Sequence, residues 1–303
     1  MADIVVVGSL NVDLVVRSPR FPKPGETIRG DDLATIPGGK GANQAVAAAR
    51  LGGQVAMLGC VGADAFGSML IENLKQNHVD TRRVLRDGSA ATGTAIIVVD
   101  ANGENSIILS PGANGKIKKG DIEPAVLQGA RVLLLQFEIP MEAVVHAARL
   151  AKERRVKVIV NPAPAHDMPD ELLKCADYLL PNETELALLT GKDTKDKASL
   201  EAAAQLLVKR GAKNVIVTLG ARGALITTRL SKKYVPTYKV KPVDTTGAGD
   251  AFIGGLAFAL VRRQSLQDAV QYGCACGALA TTKFGAQPSL PTADEVRKLM
   301  RSA

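Results

Sequence analysis

Apolar residues gather along this chain in short, near-continuous runs separated by longer mixed segments. The runs at 4–7, 55–60, 132–137, 156–160, 178–180 and 215–219 predict buried strands. The segments 43–51, 66–77, 141–154, 184–189 and 200–210 predict helices, the first closed by Gly52-Gly53, and a last helix follows Pro291. Fully apolar strands alternating with helices predict an α/β fold, a parallel sheet covered on both faces. Two segments break the alternation. Residues 12–37 mix Val, Thr and Ile with Pro and Gly, and 94–100 and 106–110 flank the turn Ala101-Asn102-Gly103 as a hairpin. They predict a second, small β-sheet inserted within 12–37 and 94–110 as a lid on a single 303-residue domain.

Composition narrows the class. With 46% hydrophobic and 22% charged residues the chain is globular, and disorder is excluded. The net charge of +8 permits a nucleic-acid partner but also suits phosphate-bearing substrates. Its basic residues are scattered, the densest clusters being Arg82-Arg83 and Arg262-Arg263, so nucleic acid is not expected. Cys60, Cys175, Cys274 and Cys276 form no C-x-x-C pair and read as reduced, mostly buried thiols. No signal peptide or membrane-spanning stretch is read, and a cytoplasmic location is expected. His78, His146 and His166 lack metal-ligand spacing, Lys118-Lys119 and Lys232-Lys233 read as solvated faces, and no G-x-S-x-G elbow occurs.

The strongest chemical signal is Asp244-Thr245-Thr246-Gly247-Ala248-Gly249-Asp250-Ala251-Phe252. Phe252, Leu256 and Leu260 recur every fourth residue, so a helix starts near Asp250 after a glycine turn. Free amides and the helix dipole there form an anion site, and Asp250 can take a hydroxyl proton beside it. The same spacing fits a plain helix start in which Asp250 complements the dipole. A second glycine stretch, Gly38-Gly39-Lys40-Gly41-Ala42-Asn43, matches neither a Walker A loop nor the dinucleotide fingerprint. It lets a small polar ligand approach the backbone, with Lys40 and Asn43 in reach of hydroxyls, or it is a turn with an Asn cap. Asn11 and Asp13 share one face of an extended segment, suited to vicinal hydroxyls or to a polar turn. Glu138 stands at the carboxyl end of a strand, where open α/β sheets bind ligands. Asn182 and Glu185 stand similarly, with a helix-capping box as the competing reading.

Taken together the segments resemble the ribokinase family of carbohydrate kinases over essentially the whole chain. The resemblance rests on Gly38-Gly39-Lys40-Gly41-Ala42-Asn43-Gln44-Ala45 and the 244–252 stretch. Asn11-Val12-Asp13, Asn161-Pro162-Ala163-Pro164, Pro181-Asn182-Glu183-Thr184-Glu185 and Gly285-Ala286-Gln287-Pro288-Ser289 follow in the family's order. It implies an αβα sandwich with a β-sheet lid that also clasps a homodimer, and ATP-dependent phosphorylation of a sugar, ribose first, at its 5-hydroxyl. By the same carry-over Asp250 is the base, and the amides of Gly247, Ala248, Gly249 and Asp250 are the anion hole. Asn11, Asp13, Gly39, Lys40, Asn43, Glu138 and Asp250 line the sugar pocket. Asn182, Thr218, Gly220, Gly249 and Cys274 contact ATP, although Cys274 replaces an expected Asn or His. Glu185 places Mg²⁺ through water. Asp244, Thr246, Ala280, Lys283, Gly285 and Ser289 hold K⁺, largely through carbonyls. Deoxyribose is the nearest alternative substrate, then fructose or a nucleoside. The intact Asp250 loop argues against a catalytically silent sugar sensor.

Overall fold

The computed structural model describes residues 2–302. The chain opens with β1 (Ile4–Val7), β2 (Asn11–Arg17), β3 (Ala34–Gly38) and helix α1 (Lys40–Arg50). It continues through β4 (Val55–Gly62), α2 (Ala65–Gln76), β5 (Asp80–Asp87), β6 (Gly93–Val99) and β7 (Asn105–Ser110). Then follow β8 (Val132–Leu135), α3 (Met141–Glu153), β9 (Lys157–Val160), α4 (Asp170–Cys175), β10 (Tyr178–Leu179), α5 (Glu183–Thr190) and α6 (Lys197–Arg210). The last strands are β11 (Asn214–Thr218), β12 (Ala224–Thr228) and β13 (Lys232–Val235). Helices α7 (Ala248–Val261), α8 (Leu266–Ala280), α9 (Ala286–Ser289) and α10 (Ala293–Arg301) complete the chain.

A nine-stranded sheet runs β13-β12-β11-β10-β9-β8-β1-β4-β5. Alternate side chains of β1 enter opposite cores: Ile4 and Val6 join α1, α2, α7 and α8, whereas Val5 and Val7 join α3, α4 and α6. That two-sided burial is why the strand reads as unbroken apolar sequence. The sheet is parallel from β5 to β11, as expected, but β12 and β13 continue it antiparallel. The polar strand β5, DTRRVLRD, is absent from the sequence reading. It lies at the sheet edge, where charged side chains reach water and no apolar run is required.

Strand order reverses between β1 and β8: β4 and β5 lie on one side, β9 to β11 on the other. Such a switch point opens a crevice beyond the carboxyl ends of the strands. The second, four-stranded sheet, β3-β2-β6-β7, lies in the two segments that break the alternation. Among the described residues, no helix is long and apolar enough to cross a membrane.

Candidate active site

Helix α7 is apolar almost all round and buried between α1 and α8. Its glycines allow the close approach. A Cβ on Gly254 would lie 2.5 Å from that of Ala47, and one on Gly255 would lie 2.6 Å from Cys276 Sγ. This packing brings the start of α1 against the start of α7. Asn43 Nδ2 donates to Asp250 Oδ2 at 3.0 Å, and Gln44 Nε2 to Asp250 Oδ1 at 3.0 Å. Burial pushes the Asp250 carboxyl above its ordinary range, opposed by Lys40 and by those two hydrogen bonds.

The start of α7 departs by two residues from the expected start at Asp250. Gly247 takes a left-handed conformation (φ 76°) as its N-cap, and Asp250 falls in the first turn. The Ala248 amide donates to Thr245 O at 3.2 Å and the Ala251 amide to Gly247 O at 2.8 Å. Among the described residues, the amides of Gly249 and Asp250 between them have no backbone partner. Apart from its chain neighbours and its own helix backbone, nothing lies within 4 Å of where a Gly249 Cβ would stand. The helix therefore presents free donors, its positive dipole end and open space side by side.

Helix α1 starts three residues before the expected 43. Gly39 supplies no side-chain cap; Glu138 Oε2, from the loop after β8, accepts the Lys40 N–H at 3.0 Å. Ser9 Oγ accepts from the Gly41 amide at 3.2 Å and donates to Glu138 Oε2 at 2.5 Å. The cap is tertiary, so no local signal marks it. Asn11 also reaches Glu138 Oε2, at 3.4 Å, and Asn114 Nδ2 holds Asn11 Oδ1 at 2.7 Å. Asn11 and Asp13 do lie two apart on β2, as expected.

Four acidic side chains surround one lysine. Burial, with Glu138 and Asp250 nearby, pushes the Asp13 carboxyl up to about 7 against the pull of Lys40. Burial alone would lower the Lys40 ammonium, but Asp250, Glu138, Glu185 and Asp13 reverse this and raise it. Burial likewise raises Glu185. Asp13, Glu138, Glu185 and Asp250 therefore all stand near enough to Lys40 to act on its charge.

Asn182 and Glu185 form the capping box of α5, with both hydrogen bonds at 2.8 Å. The cap does not exclude a role, because it uses only Oε2 of Glu185. Asn182 bridges Thr218 across the ends of β10 and β11, and Gly220 turns away with φ 56°. Cys274 is not brought into this group. Its thiol is buried in the α7–α8 core, which pushes it up to about 12.

Asp244 ties a separate loop together. Its Oδ1 accepts from the amide and hydroxyl of Thr246 at 2.9 and 2.7 Å, and its Oδ2 from the Gly285 amide at 2.8 Å. The amides of Val243 and Asp244 reach Thr281 O, and Ser289 Oγ donates to Ala286 O at 2.7 Å. The Lys283 ammonium is held by Glu295 at 2.7 Å, leaving the lysine only its carbonyl for this loop.

The sequence reading missed Ser9, Gln44, Asn114 and Gln136 as parts of the site, and took Asn161 only as part of a motif. Gln44 had one signal, its place beside Asn43 in the glycine stretch. The others are uncharged residues just past strands or, for Asn114, in the helical turn Gly112–Lys116, indistinguishable in sequence from ordinary turn residues.

The profile of the pfkB family carbohydrate kinases matches residues 1–293. The chain belongs to that family. It is 40% identical over 302 residues to a ribokinase from Haemophilus influenzae, covering 99% of each chain. It is also 40% identical over 301 residues to a deoxyribokinase from Salmonella typhi, covering 98% of each. A solved structure of Arabidopsis thaliana ribokinase complexed with ribose and ATP superposes with a TM-score of 0.92 at 35% identity, over 99% of each chain. The protein is thus a carbohydrate kinase, and its four-stranded sheet is the lid of that fold.

Proposed function

We propose that this kinase transfers the γ-phosphoryl group of ATP to the 5-hydroxyl of D-ribose, with Asp250 as general base. The observation that carries the reading is the juxtaposition at the start of α7. A buried carboxylate, fixed by Asn43 and Gln44, stands beside unpaired amides and the open face of Gly249. Asp250 takes the hydroxyl proton while the 247–250 amides, Gly249 and Asp250 foremost, neutralise the transferring oxygens. Phosphoryl transfer asks mainly for positioning and charge neutralisation, which this site supplies.

The pocket suits a polyhydroxyl ligand. Asn43 Oδ1 is buried without a partner, and a sugar hydroxyl would satisfy it. Asn11, Asp13, Gly39, Lys40 and Glu138 would take the remaining hydroxyls. Asn182, Thr218 and Gly220, adjacent at the ends of β10 and β11, suit the nucleotide. Cys274 would act on it only through its place in α8.

Glu185 keeps one carboxylate oxygen free of the cap and faces Lys40 and Asp250, so it fits a water-mediated Mg²⁺. The hard oxygen set of Asp244, Thr246, Ala280, Lys283, Gly285 and Ser289 fits K⁺ beside the anion hole. Both ions would add positive potential where phosphate charge gathers. Strand β7 is exposed along its whole length, with Ile107 and Ile108 open on alternate faces. That supports a homodimer through the lid, one face over the sugar and the other on the partner. All four cysteines are free thiols, which supports a cytoplasmic setting.

The test is ATP consumption by the purified protein with Mg²⁺ and K⁺, against ribose and 2-deoxyribose in parallel. Turnover with ribose at least ten-fold above deoxyribose is expected, because a pocket that hydrogen-bonds the 2-hydroxyl leaves polar groups unpaired without it. The deoxyribokinase relative makes the reverse preference the outcome that overturns the substrate assignment.

A further inference from the structure

Behind Asp250 runs a chain of buried amides. Gln136, just after β8, donates from Nε2 to Gln44 Oε1 at 2.5 Å. Gln44 Nε2 divides its two protons between Asp250 Oδ1 at 3.0 Å and Asn161 Oδ1 at 3.1 Å. Asn161 Nδ2 ends the chain on the carbonyl of Leu180 at 3.1 Å. Gln44 and Gln136 are wholly inaccessible to water.

Chemistry fixes the direction of every amide. A carboxylate only accepts, so Gln44 turns its NH₂ to Asp250 and its oxygen to Gln136. A backbone carbonyl also only accepts, so Asn161 turns its NH₂ to Leu180 and its oxygen to Gln44. Reversing Gln44 would set its one oxygen against an oxygen of Asp250 and an oxygen of Asn161. Gln136 therefore presents its NH₂, and its own Oε1 is left buried with no partner. An unpaired buried carbonyl costs stability, and an apolar side chain would avoid it. Gly8 accommodates the same oxygen: a Cβ there would lie 2.0 Å from Gln136 Oε1.

We propose that Gln136 is a positioning residue for catalysis, acting through Gln44 to hold Asp250 ionised and aimed. Gln44 contacts Asp250 directly, and Gln136 is one link back. The hydrogen bond from Gln44 draws the Asp250 carboxyl down, against the burial that raises it. Without Gln136, the Gln44 amide loses the contact that locks its far end, and the lower proton affinity of Asp250 goes with it. The inference rests on Asp250 being the base of the proposed function, but its first readout does not need turnover.

The experiment compares wild type with Gln136→Met and Gln44→Met, each labelled with ¹³C at the aspartate carboxyl and titrated by NMR. The Asp250 signal is assigned by its loss in Asp250→Asn. Both variants are expected to raise the Asp250 midpoint, and Gln136→Met to change Tm little, because it removes the orphan Gln136 Oε1 but leaves Gln44 Oε1 buried without its donor. Where the sugar kinase assay gives turnover, the acid limb of kcat/KM moves up with the midpoint and kcat falls ~10-fold. An Asp250 midpoint in Gln136→Met equal to wild type overturns the proposal, whatever substrate the kinase takes.

Discussion

Asn43 and Asp250, 207 residues apart in sequence, meet at 3.0 Å where the first turns of α1 and α7 touch. The contact joins the two glycine stretches into one site. Asn43 holds the Asp250 carboxyl through its amide nitrogen while its buried oxygen has no partner, as the proposed function requires of it. Asp250→Asn keeps the shape and the packing but cannot take a proton. We expect sugar binding by calorimetry to survive within a few-fold and kcat to fall by ~10²–10⁴. Near-normal turnover would remove Asp250 as the base.

Asp13 carries an opposition between stability and function. An unfolded chain ionises this carboxyl near 3.8, whereas the folded site holds the proton up to about 7. Between those values the folded state binds more protons, so stability falls as pH rises through the window. Asp13→Asn removes the penalty, and its gain in Tm is expected to be larger at pH 8 than at pH 5. The same variant loses a carboxylate acceptor, so KM for the sugar rises. In wild type, KM should rise as pH drops below about 7, since sugar hydroxyls favour the ionised form. A Tm gain independent of pH would contradict this account.

Gly247 and Gly249 answer to different demands. Gly247 sits at φ 76°, and a Cβ there would meet Ala286 Cα at 3.0 Å. Gly247→Ala is expected to cost of order 1–3 kcal/mol in chemical denaturation. Gly249 has an ordinary conformation and open space, so Gly249→Ala should leave Tm nearly unchanged. The added methyl would stand where the phosphoryl group is proposed to lie, and kcat should fall by ~10²-fold. Equal kinetics for Gly249→Ala and wild type would move the phosphoryl group elsewhere.

The lid prediction is read by mass. Ile108 is 66% exposed on β7, opposite the also exposed Ile96 of β6, so a charge there still reaches water in the isolated chain. Ile108→Glu is expected to convert a dimer to a monomer in sedimentation while Tm of the nine-stranded domain holds. A wild type that already sediments as a monomer would end the proposal.

Much of this protein was determined by sequence alone, for a physical reason. Strands buried on both faces must be apolar at every position, so β1, β4, β8, β9 and β11 stood out as runs. The 244–252 and 38–45 stretches were legible because tight helix starts need glycine, whatever the surroundings. The lid segments showed themselves by failing the alternation.

What tertiary structure alone decided follows from the same physics. Edge strand β5 needs no apolar run, so nothing in its residues marked it. Helix α1 began three residues early because its cap, Glu138, lies 98 residues away from Lys40. The capping reading of Asn182 and Glu185 is what the structure shows, and it leaves the second carboxylate oxygen of Glu185 free for the proposed ligand role. The thiol of Cys274 is buried in the apolar core, which its sequence position did not announce. The amide chain from Gln136 to Asp250 had no sequence signature, because a buried glutamine spells the same as a solvated one. Local residues set where helices and strands can begin; only long-range packing sets which polar groups lose water, and therefore which must find one another.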